Sequence, residues 1–460
     1  MLENLIENAI RSCGNETELR AQRNTNHKVS FLSGNLISNT RKTAGGVSAR
    51  VFKNGYWGHS ASSQYDIEGV KAVLKAADEN AEFLSGHLEK KDSRLEKYNP
   101  INIPLSREYV DIPQKMYIDF GKKLDEYIEK NCPSLTGRTV VVTADTMEKL
   151  LCTTGGTVAH TIAPRVYVYI FMSAQAADGS NIELFDAVHG GEGYFTDYFT
   201  DFDKCFEAAD KLYKKVLDKC NGVFPEAGVA DVILDADLAG MLAHEAVGHT
   251  VEADLVMGGS VAGPNLGKQV ASEMVNLVDF ANTALGKPCP LPMFVDEEGV
   301  PATDEWIIRD GVLVGFMNNR ESAAKFDMQP HGNARAHTFA DEPIIRMRNT
   351  AILPGTDKLS DMIASIDHGY YLTDTGNGQA DTTGEFMFGI NMGYEIVNGK
   401  LGKPLRDTTI SGVAFDMLKT VTMLSDEISW QSSGYCGKKQ LIPVGCGGPA
   451  VKCKVNIGGR

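Results

Sequence analysis

The 460-residue sequence has no CxxC pair, no excess of basic residues, and no uninterrupted apolar run approaching ~18 residues. Each absence closes a class of function. Without CxxC, the nine cysteines, odd in number and widely spaced, do not read as a disulfide framework and fit a reducing compartment. Without a long apolar run, no membrane-spanning helix is expected. The start, Met1-Leu2-Glu3-Asn4, lacks the basic residues and apolar stretch of a signal peptide, so the expectation is a soluble cytoplasmic protein. Lys and Arg number 45 against 60 Asp and Glu, a formal net charge of −15, which repels phosphate backbones and argues against nucleic acid as a direct partner. The basic residues of Glu89-Lys90-Lys91-Asp92, Lys122-Lys123 and Lys214-Lys215 are mixed with acids and read as solvated faces.

What is present is an ordinary globular composition, 43% hydrophobic and 23% charged, with length for two or three domains. Short strands are expected around Val29–Leu32 and Gly46–Phe52, with Asn54-Gly55 as a hairpin turn before Tyr56-Trp57-Gly58. Apolar residues at three- to four-residue spacing (Val70, Val73, Leu74, Ala77, Ala81, Leu84) predict a helix from Ile67 to Leu84. The polar stretch Glu89 to Asn99 follows as a linker. Further helices are expected over Pro113–Lys130 and Asp201–Cys220, and strands over Thr139–Thr143 and Arg165–Phe171. Val229–Leu234 reads as a strand and Ala236–Thr250 as a helix, after which glycine-rich strands and short turns such as Val397-Asn398-Gly399-Lys400-Leu401 dominate. Regular βαβ alternation and internal repeats are both absent, so the expected class is α+β. The expected division is a mixed domain over 1–228, with a possible subdivision near 90–105, and a strand-rich domain over 229–460 that begins with one helix.

That helix carries Met241-Leu242-Ala243-His244-Glu245-Ala246-Val247-Gly248-His249. Imidazoles are good zinc ligands, and a glutamate beside one of them can act as general base toward water activated by the metal. In the common HExxH spacing the histidines stand four apart on one helix face. Here they are five apart, which on an ideal helix is ~140° around the axis, too far to share an ion. A π-turn of roughly 4.4 residues returns them to about 50°, and Gly248 lowers the cost of such an irregularity. A catalytic site with one open position needs a third protein ligand. Glu252, Cys436, Cys446 and Cys453 are the candidates, and spacing does not choose among them.

The residues around this motif resemble the TldD/PmbA family, long labelled modulators of DNA gyrase, over nearly the whole chain. Val232-Ile233-Leu234-Asp235 through His244-Glu245 and His249 looks like the family's HExxxH signature, and Asp296 through Pro301 like its following hairpin. Gly332-Asn333-Ala334-Arg335, Pro343, Arg346-Met347, Asn349-Thr350, Gly376 through Asp381, and Gly46 through Val51 with Gly55-Tyr56-Trp57-Gly58 are similar to further blocks. The segments around His331 and His337 depart from the pattern in places. The resemblance implies the catalytic, TldD-like branch, because His244, Glu245 and His249 are all kept. It implies Cys436, in Cys436-Gly437-Lys438, as the third ligand of a zinc ion, Glu245 as the catalytic base, and structural roles for Cys446 and Cys453. It further implies a metallopeptidase acting on short or unfolded polypeptides, enclosed in a homodimer or in a heterodimer with a metal-free PmbA/TldE-like subunit. The alternative is a non-catalytic regulatory protein, a modulator of gyrase or of a toxin–antitoxin system, with a structural or vestigial metal site.

Overall fold

The computed structural model describes residues 2–89 and 94–458. Lys90, Lys91 and Asp92 of the expected charge run therefore lie outside the described residues, as do residues 90–93 of the expected linker.

The chain opens with a helix, α1 (Leu2–Arg11), then two long strands, β1 (Glu16–Leu32) and β2 (Asn35–Lys53), and β3 (Tyr56–Ser62). Composition suggested short strands here, yet β1 and β2 pair from Glu16↔Phe52 to Leu32↔Asn35. The middle of β1 is polar but not solvated: Arg20, Gln22 and Asn24 are buried because they hydrogen-bond carbonyls of residues 337–341 far downstream. A polar strand face of this kind has no apolar alternation to reveal it. Asn54 and Gly55 do make the expected turn, both in the left-handed region (φ 50° and 90°).

Helix α2 (Ile67–His87) starts where Asp66 accepts from the Gly69 N–H and buries Val70, Val73, Ala77 and Ala81. Helix α3 (Gln114–Asn131) follows, then strands β4 (Gly137–Thr153), β5 (Val158–Gln175) and β6 (Asn181–Glu192), and helix α4 (Asp203–Cys220). The long strands of the sheet run β3-β2-β1-β4-β5-β6 and pair antiparallel, while the short segment Asn102–Ile103 lies parallel to β5. One apolar cluster lies beneath α1 and α2, and a second unites Leu124 and Ile128 of α3 with Leu212 and Val216 of α4.

The downstream half is built on β7 (Gly228–Leu234), α5 (Ala236–Met241), β8 (Leu277–Phe280), β9 (Asn349–Ile352), β10 (His368–Ala380), β11 (Glu385–Val397), β12 (Thr408–Val413), the hairpin β13 (Tyr435–Lys438) and β14 (Gln440–Pro443), then β15 (Gly445–Gly448) and β16 (Val451–Ile457). Strands β7, β16, β12, β11 and β10 pair in that order, and β10 pairs again with β7, so the ring of pairings closes. A second sheet contains β8, β9 and β15, with β9 and β15 parallel. Between them runs α5 with the turns that continue it, and Leu238, Leu242, Ala246 and Val247 share one core with Val232, Leu277, Leu372, Phe388 and Val451. Gly240 lets α5 lie close on β15: a Cβ there would stand 2.9 Å from the Cys446 carbonyl carbon. The architecture is α+β, with the strand-rich part downstream.

Leu124 is fully buried in the α3–α4 cluster. Leu124→Ala is expected to cost ~2–5 kcal/mol of unfolding free energy, whereas Lys122→Ala on the solvent side should change it by about 0.5 kcal/mol or less; urea unfolding followed by circular dichroism checks both.

Candidate metal centre and its cleft

The expected single helix over Ala236–Thr250 is three conformations in series. Asp235 caps α5, its carboxylate accepting from the Leu238 N–H at 2.9 Å. Residues Leu242–Gly248 then form a π-turn and His249–Val251 a 3₁₀ turn. The His249 N–H accordingly donates to the His244 carbonyl, five residues back. The wider turn brings the two imidazoles together, ring centres 5.1 Å apart and planes at 79°. Gly248 serves differently from the expectation. Its backbone is ordinary right-handed helix (φ −54°), and its missing side chain makes room for Met347, whose Sδ would lie 2.1 Å from a Cβ.

Cys436 arrives on the β13–β14 hairpin, paired with Ile442. Donor atoms of His244, His249 and Cys436 all lie within 4.8 Å of one another. The Cys436 Sγ is 3.2 Å from His249 Nε2. Two devices hold the cysteine. The buried Arg346 guanidinium donates to the carbonyls of Cys436 (2.7 Å) and Gln440 (2.9 Å). From the upstream half, alternate residues of β5 reach the segment before it: Tyr167 donates to Ser432 Oγ (3.0 Å), Tyr169 to the Ser433 carbonyl (2.8 Å) and Arg165 to Tyr435 Oη (2.6 Å). Neither device is apparent from sequence, where Arg346-Met347 reads only as a segment similar to the family and Arg165–Phe171 only as a strand.

His244 is buried, and neither ring nitrogen has a hydrogen-bond partner among the described residues. Burial, with His249, Arg346 and Arg335 nearby, holds it well below the usual histidine range. His249 is the opposite case. Burial lowers it, but hydrogen bonds to Cys436 and Glu252 outweigh this and push it up to about 10. Glu252, one of the candidate third ligands, stands behind His249 instead, accepting from its Nδ1 at 2.8 Å while Lys438 stands 3.2 Å from the same oxygen. Glu245 Oε2 is 3.6 Å from His249 Nε2. Burial raises this carboxyl, against the pull of His249.

His244, Glu245 and Cys436 border a cavity of about 290 Å³ that also touches Tyr169, Asp186, Asp237, Asp374 and Tyr435. Cys446, expected to be structural, lines this cavity too, and burial raises its thiol. Cys453 is buried in β16, away from the cavity. Lys215, expected on a solvated face, instead pairs with Asp374 at 2.8 Å on the rim. His331 and His337 are not among the three: His331 bonds Thr303 at 2.8 Å, and His337 stacks edgewise on Tyr435.

A family model of the PmbA/TldA metallopeptidase C-terminal domain matches residues 227–459, just over half the chain, and one of PmbA/TldA metallopeptidase domain 1 matches 17–81. The chain belongs to the TldD/PmbA family. Among curated relatives, a metalloprotease of Archaeoglobus fulgidus is 30% identical over 96% of this chain and 99% of its own. A zinc metalloprotease TldD homolog of Saccharolobus solfataricus is 34% identical over 62% of this chain and 66% of its own. In fold, TldE from Thermococcus kodakarensis superimposes with a TM-score of 0.73 at 18% identity, covering 98% of this chain and 99% of that one. The family is one of metallopeptidases.

The capping Asp235 gives this helix a pH signature. Burial, with Asp237 adding to it, raises its carboxyl to about 8. The folded chain therefore keeps a proton that the unfolded chain has released, and stability falls as pH rises from about 4 through 8. The slope from this group is at most ~1.4 kcal/mol per pH unit. Asp235→Asn keeps an acceptor at the cap and should flatten the profile, read as urea midpoints at stepped pH with chelator throughout.

Proposed function

We propose that this chain is a zinc-dependent peptidase in which His244, His249 and Cys436 hold the metal and Glu245 moves the proton. The carrying observation is His244: a buried imidazole with both nitrogens unpartnered is costly, and an ion shared with the facing His249 and Cys436 removes the cost. Two nitrogens and a thiolate suit zinc and leave a fourth position open. Zinc bound there would supply Lewis-acid polarisation of the scissile carbonyl and of water. The chain's own residues account for the rest. Glu252 fixes the ring of His249 through Nδ1, leaving Nε2 toward the site. Glu245, at the cavity wall, takes the proton of the attacking water and returns it to the leaving amine. Arg346 and the β5 side chains keep Cys436 in reach.

The substrates we infer are short or unfolded polypeptides, since His244, Glu245 and Cys436 line a cavity rather than an open face. The working form is a dimer, either of two copies or with a metal-free PmbA/TldE-like subunit, in the cytoplasm. Within the chain we read two units, 1–228 and 229–460, the first bracing the metal hairpin of the second. Among the described residues no helix is long and apolar enough to cross a membrane.

Purified protein should carry about one zinc per chain by elemental analysis. His244→Ala, His249→Ala and Cys436→Ala should each lose most of it. Retention in Cys436→Ala with loss in Glu252→Ala would show the ligand set to be wrong. Glu245→Gln should keep its metal while hydrolysis of an unstructured peptide falls by ~10²–10⁴, assayed alone and with a PmbA-like partner. Undiminished cleavage would end the peptidase mechanism and leave the regulatory reading.

A further inference from the structure

A second cavity, of about 450 Å³, lies on the other side of the metal hairpin, between β4 and β5 of the upstream sheet and the downstream loops. Tyr435 and Cys436 border the metal cleft, whereas their pairing partners Pro443 and Ile442 border this second space. Its volume falls in the range of small-ligand sites, ~300–1,000 Å³. Much of the wall is apolar, from Met147, Ile162, Leu291, Met293 and Phe294.

The polar groups in that wall are unevenly satisfied. Arg165 is buried and uses Nη2 on Asp145 (3.0 Å) and Tyr435 (2.6 Å), but Nη1 has no partner among the described residues. Glu297 is buried, with Oε1 on Lys149 and Oε2 unpartnered. Arg335 is buried and gives its hydrogen bonds to the carbonyls of Met347 and Pro443, and among the described residues no carboxylate pairs with its charge. Arg107 is matched by Glu192 at 2.9 Å. The wall therefore offers one unused cationic donor, one unused anionic acceptor, a surplus positive charge and an apolar surface. A buried charged group without its hydrogen bond is unfavourable enough to call for a ligand.

We propose that this cavity binds the carboxy-terminal residue of a peptide: the free carboxylate on Arg165, the amide N–H on Glu297, the side chain against the apolar wall. A free apolar amino acid shares this chemistry, with its ammonium in place of the amide. The site is independent of the metal. It differs from the metal centre in its residues, and the Arg165–Tyr435 and Arg335–Pro443 bonds join its wall to the hairpin.

Isothermal calorimetry of the full chain with N-acetyl-phenylalanine, its C-terminal amide and free phenylalanine tests this. The acid should bind at least about tenfold more tightly than the amide. Tighter binding of free phenylalanine than of the acetylated acid would name the free amino acid as the source. Arg165→Met should weaken the acid by about tenfold or more. Because that change also removes bonds to Asp145 and Tyr435, Met147→Trp serves as the second variant, filling the cavity while leaving every charge in place. It should block binding with an unchanged thermal midpoint. Chelator and Glu245→Gln should leave affinity unchanged, so the result stands apart from the fate of the peptidase reading. Equal affinity for acid and amide, no saturation up to roughly 10 mM, or loss of binding with chelator would overturn the proposal.

Discussion

Two histidines five residues apart cannot meet on a regular α-helix, and the downstream half of the molecule is arranged around the turn that lets them. The π-turn over Leu242–Gly248 needs a helix held firmly at both ends, because the widened turn is poor in its own right. Asp235 caps one end, and the 3₁₀ turn and Glu252 secure the other. The same residues supply core: Leu242, Ala243, Ala246 and Val247 are fully buried between the closed strand ring and the second sheet. Packing on both sides thus stabilises a backbone that its sequence alone would not choose.

The third donor depends on parts of the chain far from it. Arg346 is fully buried yet gives its hydrogen bonds to backbone carbonyls of the hairpin, fixing the main chain at Cys436 and across the turn at Gln440. Strand β5 adds Tyr167, Tyr169 and Arg165, successive side chains on one face of a strand that belongs to the upstream sheet. The upstream half is therefore part of the site without contributing any of the three donors. This also accounts for the polar interior of β1, where Arg20, Gln22 and Asn24 bind the loop of residues 337–341 that borders the same region.

Charge is organised on two levels. The excess of acid over base belongs to the surface as a whole, while the interior around the hairpin is rich in arginine: Arg335, Arg346 and Arg348 are all buried. Arg348 is neutralised by Asp279 at 2.8 Å, whereas Arg335 and Arg346 rely on carbonyl dipoles. Those positive charges help keep His244 unprotonated, the state in which an imidazole can offer a lone pair to a metal.

Much was legible locally. The spacing of Val70, Val73, Ala77 and Ala81 marked α2, Asn54-Gly55 marked the turn between β2 and β3, and the five-residue spacing of His244 and His249 marked the need for an irregular helix if the two are to meet. These signals reside in neighbouring residues, whose geometry follows from helix and turn periodicity. The length of β1 and β2 was not legible, because the polar residues in the middle of β1 are satisfied by distant carbonyls rather than by water and the first half of β2 is polar and exposed, so neither stretch shows apolar alternation. Nor could spacing choose among Glu252, Cys436, Cys446 and Cys453, which stand 3 to 204 residues beyond His249. Only the tertiary structure brought Cys436 to the histidines, put Glu252 behind His249, and turned Gly248 from a source of backbone freedom into room for Met347. Periodicity reports which face of one element is apolar; it carries no information about which element, from which half of the chain, will come to lie against that face.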